Sequence, residues 1–473
     1  MWMAEWCSDM QTVGLGWGSS ASSAAPAIWC ESVGDWRTYA EVAEDAGGVA
    51  RALASERKRL VFIAVRNDYP SVIGYLGALQ AGHAVALLNP DAESGVWETL
   101  VSRYAPDVIL SATPMQTLGG YGDCASGTDR LCALQAVRPS SELIFPELAV
   151  LLSTSGSTGT PKFVRLTKRN VTHNAVAIGT ALRIGAGERP IAHLPLHYSY
   201  GMSVLNSHLN AGASIVLTRA GLTEQRFWQV AREHGITSLA CVPYHLDILR
   251  RLRFETLGVT SLQTITAAGG KAQIDAQQHF HKVMTDRSGR FYVMYGQTEA
   301  SPRITTLQPD LLMAKLGSVG VALMDGRLDV QGEFGEVVYT GPNVMLGYAT
   351  ERRDLCAGDV LGGSLATGDL GRLDDDGFLY LTGRAKRIAK IYGVRVDLDA
   401  IESMIASAAA VAAVDGGDRL VVFTTEGDSS RRDSIRADLI RRTALPLNTV
   451  EVIHVEQLPR LASGKTDYAA LSA

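Results

Sequence analysis

The feature that most constrains the fold is a regular alternation of short apolar segments with helical patterns. The apolar segments Val61–Val65, Ala84–Leu88 and Phe291–Met294 have the length and composition of buried strands. Helical patterns lie next to them in the chain, for example over Ser71–Ala81 and Ile274–Met284. Strands that alternate with helices form parallel sheets with helices on both faces. We therefore predict an α/β chain.

This pattern changes after Pro302. Short strands bounded by glycine follow, such as Glu336–Thr340, and they are typical of a small β-barrel or meander. The C-terminal segment then has the pattern of a compact α+β module, and we place its boundary after Arg384. We predict a large N-terminal domain, residues 1–384, with two parallel-type αβ sheets plus a small β-barrel. A small mobile α+β domain, residues 385–473, completes the chain.

Composition excludes several classes of function. The chain has 473 residues, a net charge of −5, 46% hydrophobic and 20% charged residues. This balance gives no reason to expect binding to nucleic acid or to an anionic membrane. No apolar run approaches a membrane span, and the N-terminal segment lacks the basic start of a signal peptide, so we expect a cytoplasmic protein. The six cysteines form no CxxC pair, which indicates ordinary thiols.

A polar loop follows one of the buried strands. The apolar run Leu148–Leu152 ends in a segment of hydroxyl-bearing residues and glycines, followed by Pro161 and Lys162. Freed backbone N–H groups, hydroxyls and one cation suit a polyphosphate. A flexible surface loop is the plainer interpretation, but this loop directly abuts a buried strand. The predicted phosphate ligands are Thr154, Ser155, Gly156, Ser157, Thr158, Gly159 and Lys162.

The spacing excludes the two commonest phosphate-binding motifs. A Walker loop requires glycine, four residues and then Gly-Lys-Ser/Thr, whereas the fifth residue after Gly156 is Pro161 and Phe163 follows the lysine. A Rossmann fingerprint also fails, because the glycines are not followed by a well-placed helix and a ribose-binding acid. The loop therefore belongs to another kind of phosphate site.

Four further segments share this polar, glycine-marked character. Ala267–Gly270 offers a flat wall for a planar ring, and Tyr295–Glu299 carries a carboxylate suited to Mg²⁺ near a phosphate loop. Thr367–Asp369 and Thr382–Arg384 together supply an acid and a guanidinium suited to two ribose hydroxyls. Pro459–Lys465 is a glycine-containing loop that ends in a lysine. Alone, each segment is weak evidence for a site and is better explained as a turn or a solvated charge.

Taken together, these segments resemble the adenylate-forming superfamily of acyl-CoA synthetases, firefly luciferase and nonribosomal-peptide adenylation domains. The resemblance runs from about Thr38 to Tyr468, and the widely separated motifs make it specific. It implies an ATP- and Mg²⁺-dependent ligase that converts a small-molecule carboxylic acid into acyl-AMP and pyrophosphate. The acyl group then passes to the thiol of CoA or to the phosphopantetheine of an acyl or peptidyl carrier protein.

The resemblance also implies roles for individual residues. The implied catalytic residues are Lys465, Thr298 and Glu299, and Glu299 would also bind Mg²⁺. The implied nucleotide contacts outside the phosphate loop are Ala268, Gly269, Gly270, Tyr295, Asp369 and Arg384. Lys386 stands at the hinge about which the C-terminal domain of such enzymes swings between the two half-reactions.

The acyl substrate is less constrained. Acyl-CoA synthetases carry a gating histidine in the segment that resembles His193–Gly201, where Tyr198 takes its place and His197 stands one residue earlier. Amino-acid-activating relatives carry an aspartate there, and no acid occurs between His193 and Asn210. We therefore expect an acid without an α-amino group. The candidate pocket residues, for which core packing is the alternative, are His197, Tyr198, Tyr200, Cys241, Val242, Ala268, Met294 and Pro302.

Other interpretations stay open. Some relatives use an amine as acceptor and form amides. A non-catalytic adenylate-binding relative would have lost the phosphate loop, Glu299 or Lys465, and the presence of all three favours an enzyme. A basic helix containing Arg441 and Arg442 could meet the phosphates of CoA, but the interleaved Asp438 favours a solvated face.

Overall fold

The structure is a computed structural model that describes residues 22–471 except 93, 116–118, 155–161, 332–334, 385–386, 392–393, 406–409, 418, 444 and 462–464. The chain divides into two compact units. Unit 1 consists of the described residues up to Leu316 together with Ala322–Gly326 and Thr340–Leu365. Unit 2 consists of Gly317–Val321, Arg327–Tyr339 and the described residues from Ala366 onward. A domain boundary after Arg384 stays a prediction.

Strands and helices alternate along most of unit 1. The elements before the phosphate loop are β1 (Pro26–Cys30), β2 (Trp36–Thr38), α1 (Tyr39–Ala52), β3 (Leu60–Ala64), α2 (Tyr69–Gln80), β4 (Ala84–Leu88), α3 (Ser94–Tyr104), β5 (Val108–Ser111), β6 (Tyr121–Cys124), β7 (Cys132–Ala136) and β8 (Leu148–Thr154). Those that follow the loop are β9 (Lys162–Thr167), α4 (Lys168–Leu182), β10 (Pro190–Ala192), α5 (Ser199–Asn210), β11 (Ile215–Leu217), α6 (Gln225–Glu233), β12 (Ser238–Cys241), α7 (Pro243–Leu252), β13 (Thr264–Ala267), α8 (Ile274–Asp286), β14 (Arg290–Gly296) and β15 (Arg303–Leu307).

The remaining elements are shorter on average. They are β16 (Val321–Ala322), β17 (Arg327–Gln331), β18 (Glu336–Thr340), β19 (Gly347–Ala349), β20 (Ser364–Leu373), β21 (Leu379–Arg384), β22 (Ile388–Ile391), β23 (Val394–Asp397), α9 (Leu398–Ile405), β24 (Val411–Asp415), β25 (Leu420–Thr424), α10 (Ser429–Thr443), β26 (Val450–His454) and α11 (Tyr468–Leu471).

The first sheet of unit 1 has eight strands in the order β19-β9-β8-β4-β3-β5-β7-β6. Its centre is parallel, since β3 pairs in parallel with β4 and β5, and β4 with β8. Antiparallel pairs extend it on both sides. Every residue of β3 and β4 is buried. Burial on both faces explains why these strands are unbroken apolar runs in the sequence.

The second sheet of unit 1 contains the run β15-β14-β13-β12-β10-β11-β1-β2. Neighbours from β14 to β1 are parallel, whereas β15 and β2 run antiparallel to β14 and β1. Parallel neighbours end at the same edge of a sheet, which is where open α/β sheets bind ligands. The loops after β12, β13 and β14 therefore lie side by side at one edge.

Local signals in the sequence begin the helices that cover these sheets. The Thr38 hydroxyl accepts a hydrogen bond from the backbone N–H of Glu41, and the Glu41 side chain accepts one from Thr38 in return. Thr167 and Asn170 form the same reciprocal arrangement at the start of α4. Helix α4 packs beside α5, α5 contacts β10 and β11, and α4 contacts β15. These two helices therefore pack against the second sheet.

Unit 2 contains three sheets. A four-stranded sheet has the order β17-β18-β20-β21, β22 pairs with β23, and a three-stranded sheet has the order β24-β25-β26. One apolar cluster of unit 2 includes Val422 of β25, Ile401 of α9 and Leu439 of α10. The C-terminal segment is thus an α+β module, as predicted.

The α/β architecture and most of the predicted strands and helices are confirmed. The region expected to form a small β-barrel is the open four-stranded sheet, and within the described residues it does not close on itself. Among all the residues that the structure describes, no helix is long and apolar enough to cross a membrane. The described cysteines are free thiols.

Candidate active site

The predicted phosphate loop connects β8 to β9, which pair in antiparallel fashion with Thr154 opposite Lys162. Its residues Ser155, Gly156, Ser157, Thr158 and Gly159 lie outside the described residues, as does the side chain of Thr154. Their role in phosphate binding stays a prediction. The lysine that ends the loop is described, and its surroundings are informative.

The loop lysine and the predicted metal-binding acid share one neighbour, Tyr348. The Tyr348 hydroxyl donates a hydrogen bond of 2.7 Å to Oε1 of Glu299. The Lys162 Nζ lies 3.3 Å from the centroid of the Tyr348 ring, which is the geometry of a cation–π contact. Burial and the Glu299 carboxylate raise the pKa of Tyr348, so the phenol stays protonated and donates. One tyrosine therefore holds a carboxylate and contacts an ammonium group.

The position of Tyr348 follows from strand pairing. Strand β19 runs antiparallel to β9, with Tyr348 opposite Val164 and Ala349 opposite Phe163. The backbone of Glu299 is fixed separately, because its carbonyl accepts a hydrogen bond of 2.9 Å from the Met345 N–H. Strand β19 and the segment before it thus anchor the acid at two points.

We expect Tyr348→Phe to raise the KM for Mg·ATP about tenfold to 100-fold, because hydrogen bonds to charged groups contribute about 1.5–3 kcal/mol and the change leaves the ring under Lys162. A titration of Mg·ATP in an assay of nucleotide turnover measures this effect. Tyr121→Phe is the matched control, since it removes a phenol that donates 2.8 Å to the Pro106 carbonyl instead. Equal KM values for the two variants would contradict a positioning role for Tyr348.

Thr298 and Glu299 lie in a short 3-10 helix, Thr298–Ala300, just after the end of β14. The Thr298 Oγ1 is 3.1 Å from the Oγ of Ser199, the first residue of α5. This contact links the edge of the sheet to the helix that carries the predicted acyl-pocket residues. The Ser199 hydroxyl was not predicted as a site residue, since one serine in a polar segment carries no distinct signal.

The flat wall predicted at Ala267–Gly270 follows β13. Gly269 has φ +82°, and a Cβ at this position would lie 2.4 Å from the Tyr198 hydroxyl. A side chain there is therefore both strained and obstructed. The wall and the Tyr198 ring form one surface. Tyr295, the predicted adenine partner, is buried in the neighbouring strand β14.

Most of the predicted acyl-pocket residues lie in one region of unit 1. The Tyr200 hydroxyl lies 2.7 Å from Oγ1 of Thr266, and both residues line a cavity under α4 and α5 together with Met294. The cavity is small, with a volume of about 30 Å³. Cys241 is completely buried and burial raises the pKa of its thiol, so it acts as core packing. Pro302 is also buried.

His197 and Tyr198 begin the segment that enters α5. Burial lowers the pKa of His197 to about 4 and raises the pKa of Tyr198 to about 12. Both side chains are therefore uncharged near pH 7. The His197 Nδ1 is buried without a hydrogen-bond partner in the described residues. A neutral imidazole in this position can donate or accept a hydrogen bond with a substrate, but it cannot neutralise the negative charge of a substrate carboxylate.

We expect the chain to lose stability as pH falls from about 6.5 toward 4. Burial lowers the pKa of His197 to about 4 and that of His193 to about 3, against about 6.5 in an unfolded chain. The unfolded state then binds more protons in this window, and each histidine contributes a loss of about 2 kcal/mol at pH 5. Melting temperatures measured between pH 7.5 and 5 test this. The His197→Gln variant should lose less than the wild type, and an identical decline would contradict the assignment.

The predicted ribose ligands belong to unit 2. Asp369 and Arg384 are opposite each other on β20 and β21, and Nε of Arg384 lies 2.9 Å from Oδ1 of Asp369. Asp369 is buried, whereas the Arg384 side chain is 60% exposed. The Thr367 hydroxyl donates a hydrogen bond of 2.7 Å to the Val337 carbonyl, which fixes strand β20 just before Asp369. The pair offers an acceptor and a donor side by side, as a diol requires.

The predicted catalytic lysine also belongs to unit 2. Arg460 and Thr466 form an antiparallel bridge, and the Leu461 N–H donates 2.9 Å to the Lys465 carbonyl. Lys465 is exposed and lies on one arm of this small hairpin. The predicted hinge residue Lys386 lies outside the described residues. The roles of Lys465 and Lys386 stay predictions.

The residues near Lys162 are compatible with a magnesium ion that arrives with ATP. Within the described part of the chain no cluster of three or more His, Cys, Asp or Glu side chains could hold a metal. Magnesium in nucleotide enzymes is held by one or two carboxylates together with phosphates and water. Glu299, half-buried and fixed by Tyr348, supplies one such carboxylate.

Comparisons with known proteins agree with this site. The family model described as AMP-binding enzyme matches residues 19–349. A 2-succinylbenzoate–CoA ligase of Bacillus cytotoxicus is 32% identical over 284 residues, 58% of this chain and 57% of the relative. The chain thus covers little more than half the length of this relative. A 2-succinylbenzoate–CoA ligase of Bacillus velezensis is 30% identical over 71% of each chain, and a sulfoacetate–CoA ligase of Cupriavidus necator is 26% identical over 90% of each.

Solved structures establish the fold independently. The o-succinylbenzoate CoA synthetase MenE of Bacillus subtilis, in complex with the acyl-adenylate OSB-AMP, superposes with a TM-score of 0.76 at 22% identity over 96% of each chain. ATP-bound MatB from Rhodopseudomonas palustris gives a TM-score of 0.75 at 22% identity, over 95% of this chain and 96% of that one.

Proposed function

This chain belongs to the AMP-binding enzyme family, and on that premise we propose that it is an ATP-dependent carboxylic acid ligase that forms acyl-AMP. The observation that carries the proposal is the Lys162–Tyr348–Glu299 contact at the end of the predicted phosphate loop. It brings a cation suited to phosphate and a carboxylate suited to Mg²⁺ to one phenol. If Lys162, Tyr348 and Glu299 served only to stabilise the fold, a half-buried carboxylate next to a glycine-rich loop would not be required.

In the first half-reaction, a carboxylate oxygen of the acid attacks the α-phosphorus of ATP. The bond from that phosphorus to the β-phosphate oxygen breaks, which releases pyrophosphate and leaves acyl-AMP. The chain must balance the charge that builds as one anion approaches another. Lys162 and the loop would hold the β- and γ-phosphates, Lys465 would contact the α-phosphate and the carboxylate, and Mg²⁺ held by Glu299 would screen the phosphate charge.

In the second half-reaction, a thiol attacks the acyl carbon and displaces AMP. We propose CoA as the thiol, because the curated relatives are named as CoA ligases. The phosphopantetheine of a carrier protein presents the same thiol and is the second candidate acceptor. The acids in the relatives' names, 2-succinylbenzoate and sulfoacetate, are not amino acids, which supports an acid without an α-amino group.

A swing of the C-terminal module about Lys386 would let Lys465 serve the first half-reaction and then make room for the thiol. A cytoplasmic location stays a prediction from the sequence.

The experiment is acid-dependent exchange of pyrophosphate into ATP, run over a panel of carboxylic acids with the purified full chain. We expect exchange with at least one acid and, once CoA is added, consumption of its thiol. Exchange followed by loss of an added amine instead of the thiol would indicate an amide synthetase. Adenylate binding without exchange for any acid would indicate a non-catalytic relative and would overturn the proposal.

A further inference from the structure

A buried arginine that was not predicted as a site residue lies beside the acyl cavity. Arg303 is the first residue of β15, where it pairs with Gly296 of β14, and it is 2% exposed. Its side chain lines the cavity under α4 and α5 together with Met294 and Tyr200. The centre of its guanidinium lies 4.7 Å from the centroid of the Tyr200 ring. A permanent positive charge thus stands in a mostly apolar wall.

The other two buried arginines of unit 1 are compensated and Arg303 is not. Arg165 donates to four backbone carbonyls, among them those of Tyr348 and Leu346, and Arg352 forms an ion pair of 2.9 Å with Asp107. The Nε of Arg303 is buried with no hydrogen-bond partner, and among the described residues no carboxylate pairs with its guanidinium. The guanidinium does contact Tyr200, through a side-chain hydrogen bond and the face of its ring. A neutral phenol does not balance a buried charge, which is strongly unfavourable without an opposite charge, so this position needs an explanation.

The Arg303 side chain is not required to hold the strand in place. Its backbone N–H donates 3.1 Å to Oδ1 of Asn174, and its carbonyl accepts from the side chains of Asn174 and Asn343. These contacts fix β15 with any side chain at this position. The guanidinium is therefore not needed to position β15, and its Nε has no hydrogen-bond partner among the described residues.

Of the charged groups that line the cavity, only Arg303 keeps a charge that no neighbouring group of opposite charge balances, as the following contacts of the described residues show. Glu188 also lines the cavity, but its Oε1 accepts 2.8 Å from Arg290 and its Oε2 accepts 2.9 Å from the Thr237 hydroxyl. His208 lines the cavity too, and burial lowers its pKa, so this imidazole is neutral near pH 7. The cavity itself supplies no free anion for Arg303 among the residues that the structure describes.

We propose that the acid activated by this enzyme carries a second anionic group, a carboxylate or a sulfonate, which binds the Arg303 guanidinium inside the cavity. This inference rests on the proposed function, because it assigns the cavity to the acyl group. Tyr200 contacts the guanidinium from one side, and its hydroxyl is held by the Thr266 hydroxyl, 2.7 Å away in the same cavity wall. The carboxylate to be activated then lies toward Ser199 and Thr298, where α5 begins.

The test is pyrophosphate exchange with matched pairs of acids. Pentanedioate, 2-carboxyphenylacetate and 3-sulfopropanoate carry a second anion. Pentanoate, phenylacetate and butanoate are their partners with an uncharged tail, called the neutral acids below although each keeps the carboxylate that reacts. For the wild type we expect kcat/KM to be at least about 100-fold higher for the best dianion than for its partner, since a buried ion pair that lacks one member is strongly destabilised. The sulfonate arm separates sulfonate from carboxylate recognition.

Arg303→Met should lower kcat/KM for the dianions about 100-fold and leave the neutral acids within about threefold. Arg251→Met, an exposed arginine in α7, is the matched control and should change neither class. The melting temperature of Arg303→Met should not fall, because the change removes an uncompensated buried charge. If that variant does not fold, Arg303→Lys replaces it, with an expected loss of about tenfold for the dianions alone.

The outcomes separate this inference from the proposed function. Equal exchange with neutral and dianionic acids, or equal losses of both in Arg303→Met, would overturn the second-anion site while exchange itself supports the ligase. If no acid supports exchange, the proposed function fails, and calorimetric titration with the three dianions decides the site alone. Binding to the wild type but not to Arg303→Met would support an anion site, and no binding to either would overturn it.

Discussion

Replacing Lys465 by alanine is expected to lower the rate of acyl-AMP formation about 10²–10³-fold while leaving acyl transfer from pre-made acyl-AMP nearly unchanged. The reason is electrostatic. The first half-reaction brings a carboxylate against a polyphosphate, so a cation placed between them acts mainly in the transition state. In the second half-reaction a thiol attacks an acyl carbon, and no such approach of two anions at the α-phosphate takes place.

The two half-reactions must be measured separately. Pyrophosphate exchange reports the first, and CoA consumption from synthetic acyl-AMP reports the second. Lys282→Ala is the matched control, because this exposed lysine only pairs with Asp286 on the surface of α8. Equal losses of both half-reactions in Lys465→Ala would refute the division of labour.

The second large effect is expected at Glu299. Glu299→Gln keeps the shape of the side chain and an oxygen for the Tyr348 hydroxyl, but it removes the charge that would hold Mg²⁺. We expect adenylation to fall about 10²–10³-fold, in the range found when one preorganised electrostatic partner is lost. The concentration of Mg²⁺ needed for half-maximal rate should rise at the same time.

Titration of Mg²⁺ at fixed ATP separates this effect from a folding defect. Glu255→Gln is the control, because it makes the same change at an exposed carboxylate. A Glu299→Gln variant with reduced rate but an unaltered requirement for Mg²⁺ would place the residue outside the metal site.

The parallel core of unit 1 was predictable because strands buried on both faces are continuous apolar runs. Strands β3 and β4 belong to this class, and β14 contains the buried run Phe291–Met294. Strand β9 was not predicted, since Arg165 interrupts it, and only the fold shows that this arginine is buried against carbonyls. Strand β1 was not predicted either, because its pairing with β11 depends on residues far along the chain.

In the candidate site too, the residues with a local sequence signal were predicted and those that depend on distant contacts were not. Lys162 and Glu299 were predicted because a glycine-rich loop and a polar segment after a strand are visible in the sequence. Tyr348 and Arg303 were not, since a tyrosine after a glycine and an arginine after a proline are both common on surfaces. Their significance comes from register and burial, which bring Tyr348 to Glu299 and place Arg303 in a cavity wall.

The most direct measurement of the central claim follows the carboxylate oxygen of the acid. The acid is labelled with ¹⁸O in its carboxylate, allowed to react with ATP and CoA, and the nucleotide product is analysed by mass spectrometry. If the carboxylate attacks the α-phosphorus, one labelled oxygen appears in AMP once the thiol has displaced it. Unlabelled AMP, or label in orthophosphate alongside ADP, would contradict an acyl-adenylate and with it this account of the enzyme.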